Sequence, residues 1–188
     1  MHLVVFGDFN CPFSCLASTR VDALLTADIA DVEWRAVEHD PGIEHPSEPV
    51  TGDLAHELDR ELDLVRPFVR PGEPFAMQRP PRRPNTALAT AAFAGAPTEQ
   101  RHALRRALFR ALWSDGTDIG DPDVLRAFAP APSAHDSGRI EQWRAQWLAL
   151  PNTVVPSLVM PDGTPALGLD ALQLLGDMVA DAERAERG

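Results

Sequence analysis

Apolar residues run nearly unbroken from Leu3 to Phe9, the pattern of a short strand buried on both faces. Asn10 is a good N-cap and Pro12 suits a first helical turn, so a helix should begin there. Its apolar positions, Phe13, Leu16, Ala17, Val21, Leu24 and Leu25, recur at helical spacing. From Asp31 to Val37 the pattern alternates, with Val32, Trp34 and Ala36 opposite Glu33 and Arg35. That is a second strand, and β-α-β within so short a span implies a parallel pair joined by a right-handed crossover.

The middle of the chain changes period. Residues 40–50, rich in Pro and Gly, predict a loop. Leu54, Leu58, Leu62 and Val65 then mark a helix that stops at Pro67. Pro71, Pro74, Pro80, Pro81 and Pro84 exclude regular structure over 70–84 and predict a surface loop. Asn85 should cap an Ala-rich helix to about Phe93, and Thr98 should open another on the stripe Leu104, Ala107, Leu108, Ala111 and Leu112. Asp121-Pro122 pairs an N-cap with proline at the first helical position, starting a short helix to Phe128. Ile140, Trp143, Trp147 and Leu150 form one more stripe, so about 50–150 reads as helical throughout. Strand pattern returns at Val154–Met160. Asp162-Gly163 is a hairpin signal, the partner strand covers Pro165 to Leu169, and Leu172, Leu175, Met178 and Val179 mark a last helix.

Charge and composition then narrow the chemistry. The 188 residues carry 17 basic against 28 acidic side chains, a net charge of −11, which disfavours a phosphate backbone as partner. Every basic residue is Arg, and Tyr is absent; lysine Schiff bases and tyrosine acid–base roles are thereby excluded. A strong G+C bias would account for the Arg, Ala and Pro content. No apolar run is long enough to cross a membrane, and Met1-His2 leads directly into the first strand without a basic leader, so a cytoplasmic location is expected. His45, His56, His102 and His135 lack metal-ligand spacing, and no G-x-S-x-G, G-x-G-x-x-G or P-loop occurs. No metal and no nucleotide cofactor is indicated.

Two cysteines remain, Cys11 and Cys15, too few for a disulfide framework or a four-thiolate zinc site. Cys11 falls where a helix begins, and the free N–H groups and dipole of a helix N-terminus favour a thiolate. A lowered pKa is the expectation, with the Ser14 hydroxyl one turn on available to the sulfur. Cys15 sits at i+4, where Cβ atoms are about 5–6 Å apart against about 3.8 Å in a disulfide; it should be a packed, unbridged thiol. Glu38-His39-Asp40 reads as a solvated loop, although it lies where an imidazole would come near the thiol. Trp113, Trp143 and Trp147 read as core.

The run Phe6-Gly7-Asp8-Phe9-Asn10-Cys11-Pro12-Phe13-Ser14-Cys15-Leu16-Ala17-Ser18 resembles the active-site segment of the DsbA family, in its cytoplasmic FrnE-like and 2-hydroxychromene-2-carboxylate isomerase-like branch. Val32-Glu33-Trp34-Arg35, Pro84-Asn85-Thr86, Leu112 through Asp118-Ile119 with Asp121-Pro122 and Leu125, Val154-Val155-Pro156-Ser157 and the Gly168 turn agree with it, over nearly the whole chain. The resemblance implies an α/β, thioredoxin-like fold with an inserted all-helical domain. Residues 1–42 and 151–188 would form the discontinuous thioredoxin-like domain and 43–150 the insertion. It also implies a cis peptide bond at Pro156, with Val155 and Pro156 offering a backbone edge to substrate beside Cys11.

One departure matters. Thiol oxidoreductases of the group carry Cys-x-x-Cys, but here Ser14 holds the second place and cannot resolve a mixed disulfide. The resemblance therefore implies a thiol-disulfide oxidoreductase in which Cys11 acts alone within Cys11-Pro12-Phe13-Ser14. No cofactor would be tightly bound, glutathione or another low-mass thiol being co-substrate. Its partners would be small thiols or disulfides, or a protein disulfide, without nucleic acid or membrane, and a homodimer is open. In the isomerase branch and the related kappa-class transferases serine takes the first position, so a thiol-dependent isomerase or transferase is the alternative. Asn85 and Asp170 match polar positions of glutathione-binding relatives, while each also suits a helix N-cap. A third possibility is a binding-only member, marked by a Cys11 no more reactive than free cysteine.

Overall fold

A computed structural model describes residues 1–128 and 136–187; His135 lies outside them. Strand β1 (His2–Gly7) leads into α1 (Pro12–Thr26) and β2 (Asp31–Ala36). β1 and β2 pair in parallel, His2 against Asp31 through Gly7 against Ala36. The crossover places α1 over the sheet, burying Leu16, Ala17, Val21 and Leu24. Gly7 has a packing reason to be glycine: a Cβ there would lie 2.3 Å from the Trp34 ring.

The next elements are β3 (Glu48–Pro49), α2 (Gly52–Val65), a 3-10 turn (Arg66–Phe68), β4 (Arg82–Arg83), α3 (Ala87–Gly95), α4 (Thr98–Trp113), α5 (Pro122–Leu125) and α6 (Asp136–Leu148). The chain closes with β5 (Ser157–Val159), β6 (Pro165–Leu167) and α7 (Leu169–Arg187). The main sheet has the order β2-β1-β5-β6, with β5 antiparallel to both β1 and β6. This is an α/β, thioredoxin-like sheet with a helical insertion between β2 and β5.

The N-cap of α3 is Thr86 rather than Asn85, the helix begun at Pro122 ends at Leu125 rather than Phe128, and β6 ends at Leu167 rather than Leu169. Three further differences from the sequence-based expectation bear on the site. The N-cap of α1 is Cys11, not Asn10: Cys11 is extended at φ −95° and ψ 119°, and Pro12 follows as the first helical residue. Asn10 is drawn away, its side-chain amide donating to the Pro84 carbonyl at 2.5 Å. Second, the proline-rich 70–84 segment is not wholly irregular, because Arg82–Arg83, free of proline, pairs antiparallel with Glu48–Pro49. The Arg83 guanidinium grips Glu48 at 2.5 Å across this ribbon. Third, β5 is shorter than Val154–Met160. The Val154 carbonyl accepts from the Trp147 indole at 3.1 Å and the Ser157 hydroxyl at 2.6 Å rather than joining a ladder, and Pro156 has no N–H to give.

The core runs through sheet and insertion alike. Phe9, just past β1, packs against Phe109 at 5.0 Å and Phe93 at 5.9 Å between ring centroids, and its carbonyl accepts from the Trp113 indole at 2.8 Å. Trp113, Trp143 and Trp147 are all buried, as their stripes predicted. Trp147 belongs to a smaller cluster with Phe6, Val37 and Val155, against which Cys11 packs. The inserted helices thus hold the loop that carries Cys11. Among the described residues no helix is long and apolar enough to cross a membrane.

Candidate active site

The turn between β1 and α1 is built around Asp8. The Cys11 amide donates to the Asp8 carbonyl at 3.1 Å, closing the turn. The buried Asp8 carboxylate accepts from three segments: the Asn10 amide at 3.0 Å, the His39 amide at 2.8 Å and the Thr86 hydroxyl at 2.9 Å. One side chain therefore ties the Cys11 loop to the end of β2 and the start of α3. Burial pushes its carboxyl up from the usual range, against the pull of those hydrogen bonds. Sequence reading passed over Asp8 within an apolar run; a lone carboxylate among Phe6, Gly7 and Phe9 was the available signal, since such a group is buried only with partners.

Cys11 stands over this turn. Its sulfur accepts from the Ser14 amide at 3.4 Å, and its thiol donates to the Val155 carbonyl at 3.7 Å. The Val155–Pro156 peptide bond is cis. The Pro156 carbonyl is held by the Gly168 amide at 2.8 Å, with Gly168 in the left-handed region at φ +57°. The buried Ser14 hydroxyl accepts from the Asp8 amide at 3.4 Å.

The expected thiolate is corrected here. Burial pushes the Cys11 thiol up to about 11; the Ser14 hydroxyl and amide pull it down, and Asp8 adds to the rise. A helix N-terminus favours the anion locally, but packing against Phe6, Val37, Trp147 and Val155 leaves the cysteine only partly exposed, and the loss of water penalises the charged form. Cys15 is also pushed up by burial, and then by the charge of Cys11. Both cysteines are free.

A cleft of about 480 Å³ opens beside the sulfur, lined by Asp8, Asn10, Cys11, Pro12, Phe13, His39, Asp40, Ile43, Glu57, Leu58, Glu61, Arg83, Val154 and Val155. It thus brings Cys11, Pro12, Phe13 and Val155 together, with Ser14 beneath and Pro156 buried behind Val155. His39 is exposed, as a loop residue should be, yet it lines this cleft and meets Trp147 edge-on at 6.3 Å. Cys15 faces elsewhere, into a separate cleft of about 520 Å³ beside Thr19, Met77 and Phe109. Asn85 and Asp170 do not line the Cys11 cleft. The Asn85 amide is engaged at both ends, donating to the Ile43 carbonyl at 2.5 Å and accepting from the Ala87 amide at 2.9 Å; Asp170 is exposed in the first turn of α7. No group of His, Cys, Asp and Glu among the described residues is arranged to hold a metal ion.

A parallel β-α-β unit, an antiparallel hairpin against its first strand and a closing helix define the thioredoxin-like class. Within that class the chain belongs to the DSBA-like thioredoxin domain family, whose model matches residues 2–135. No curated protein matches the sequence. Among solved structures, the cytosolic disulfide reductase DsbM from Pseudomonas aeruginosa superposes with a TM-score of 0.68 at 20% identity, covering 100% of this chain and 99% of that one. The same reductase with GSH gives 0.64 at 16%, covering 100% of both chains. A 2-hydroxychromene-2-carboxylate isomerase gives 0.65 at 18%, covering 100% and 98%. At these identities the likeness is one of fold. Members and neighbours of this kind are thiol oxidoreductases or isomerases.

Proposed function

We propose that the protein is a cytoplasmic thiol-disulfide oxidoreductase that works through Cys11 alone, with a low-mass thiol such as glutathione resolving the mixed disulfide. The observation that carries this reading is the placement of the Cys11 sulfur between the first-turn amide of α1 and the Val155 carbonyl, on the wall of an open cleft. Ser14 and Cys15 are poor partners for a dithiol cycle: the first is a hydroxyl, the second opens on another cleft. The likeness to a cytosolic reductase solved with GSH supports both the thiol partner and the location.

In this reading Pro12 and Phe13 wall the cleft, and an extended substrate lies along Val155. The Cys11 proton is lost as the substrate arrives, and the Ser14 amide and hydroxyl take up the developing charge. The sulfur attacks one sulfur of the disulfide, the S–S bond breaks, and the departing half leaves as a thiol carrying a proton. A more basic thiolate is also a better nucleophile, which offsets part of its lower population.

The rise of the Cys11 thiol with burial gives weight to a second reading, a thiol-dependent isomerase in which the cleft holds a small thiol without being oxidised by it. Full-length likeness to an isomerase supports it. Treating the protein with the neutral bis(2-hydroxyethyl) disulfide and weighing it intact separates the two. The oxidoreductase gives one adduct, on Cys11, that glutathione removes. An adduct on Cys15, or a Cys11–Cys15 bond at high occupancy, would sink the single-thiol scheme. Glutathione binding without any adduct would favour the isomerase, and a Cys11 that forms the adduct no faster than free cysteine would favour a binding-only protein.

A further inference from the structure

The cleft that holds Cys11 is unbalanced in charge. Its walls carry Asp40, Glu57 and Glu61 besides the buried Asp8, and Arg83 is their one guanidinium. That guanidinium is already committed to Glu48, at 2.5 Å across the β3–β4 ribbon. Glu57 and Glu61 stand one turn apart on α2, where like charges repel, and neither makes an ion pair among the described residues. Burial raises the Glu61 carboxyl above the usual range and the neighbouring Glu57 raises it further, against a smaller opposing pull from Arg83 and His39. A group in that condition gains from a cation placed beside it.

Resting on the reading of Cys11 as the attacking thiol, we infer that the Cys11 cleft selects thiols and disulfides bearing an uncompensated ammonium or guanidinium group, which is held against Glu57 and Glu61 of the inserted α2 helix. Basic peptide disulfides and aminothiols belong to this class; anionic low-mass disulfides are disfavoured. Glutathione, with two carboxylates against one ammonium, is a weaker partner than an aminothiol of the same size. The field of these carboxylates raises the local concentration of cations and lowers that of anions. The chemical step is unchanged: a Cys11–S–S–R bond replaces the S–S bond of the disulfide, and the leaving thiol takes up the proton that Cys11 gives.

Three small disulfides test this on the intact chain: doubly cationic cystamine, neutral bis(2-hydroxyethyl) disulfide and doubly anionic 3,3′-dithiodipropionate. The rate of Cys11 adduct formation is read by intact mass. Each rate is divided by that of the same disulfide with N-acetylcysteine amide, which removes differences in leaving-group strength. The expected order is cation, neutral, anion, with on the order of ten-fold between the extremes at low salt. That ratio should fall toward one in Glu57→Gln/Glu61→Gln. It should fall likewise in the wild type at about 1 M salt, where the screening length is about 3 Å, so the test survives a variant that does not fold. A normalised wild-type ratio of one or below, or a ratio that neither salt nor the double variant moves, overturns the charge selectivity while leaving Cys11 as nucleophile. No adduct with any of the three overturns both together.

Discussion

Cys11 and Cys15 are one helical turn apart on α1, yet they face different surroundings. Cys11 caps the helix, receives the Ser14 amide and lines the cleft bounded by Val155 and the α2 carboxylates. Cys15 lies inside the helix, its own amide spent on the Cys11 carbonyl at 3.0 Å, and opens on the surface between α1 and α4. Burial raises both thiols, but only Cys11 has groups that pull its pKa back. Two identical side chains four residues apart are thus made unequal by what reaches them from outside the helix. Sulfur chemistry here is a property of the neighbours, above all of Ser14, Asp8 and the Val154–Pro156 loop.

The sharpest way to break this contrast is to exchange the thiols one at a time. Cys11→Ser should abolish adduct formation with a neutral disulfide, whereas Cys15→Ser should keep most of it; comparable loss in both variants would erase the distinction. Next in size is pH. Because burial holds the Cys11 thiol protonated up to about 11, its alkylation rate should climb about ten-fold per pH unit from neutrality toward that value, with no plateau before pH 9. Cys15 should remain the slower thiol throughout. A plateau near neutrality, read by mass after iodoacetamide pulses, would restore the thiolate expected from the helix terminus alone.

Asp8 supplies a smaller and two-sided effect. Removing its charge in Asp8→Asn should lower the Cys11 pKa and speed alkylation several-fold, since Asp8 contributes to the rise. The same change sets an amide donor against the His39 amide that now donates to the carboxylate, which should cost about 1–3 kcal/mol in urea unfolding. Faster thiol chemistry in a less stable protein is the expected pair of results; slower chemistry would mean that Asp8 acts on Cys11 chiefly by positioning it. Ser14→Ala should move the pKa upward instead. Smallest in its effect on the chemistry, Trp147→Phe keeps a six-membered aromatic ring but removes the fused five-membered ring and with it the indole donor to the Val154 carbonyl. About 1–3 kcal/mol of stability, for the lost hydrogen bond and the space left in the buried cluster, and a few-fold of adduct rate should go with it, with Cys15 alkylation unchanged.

The periodic parts of the fold were readable because burial on one face leaves a regular trace in sequence. The β-α-β start, the Thr98 helix with its stripe, the Asp121-Pro122 helix start and the closing helix appear where their patterns place them, and the closing hairpin appears with shorter strands. The short β3–β4 ribbon was hidden, since two residues between prolines carry no period and the Arg83–Glu48 contact joins segments far apart in the chain. Trp147 was read as core, and is, but its indole also fixes the carbonyl next to the cis-proline loop. His39 was read as a solvated loop residue, and is exposed, but tertiary packing brings it to the cleft. Asn85, matched to ligand-contacting positions, is engaged by Ile43 and Ala87 instead.

Local sequence determined that α1 begins within a residue of Cys11, that Ser14 occupies the place of a second cysteine, and that the chain resembles the DsbA family; the structure moved the N-cap from Asn10 to Cys11. Only the tertiary structure decided the state of that sulfur. A helix terminus acts through a few adjacent amides and can be read from neighbouring residues. Desolvation depends on which distant groups exclude water, and here those are Val155 and Trp147, brought against Cys11 from the other end of the chain.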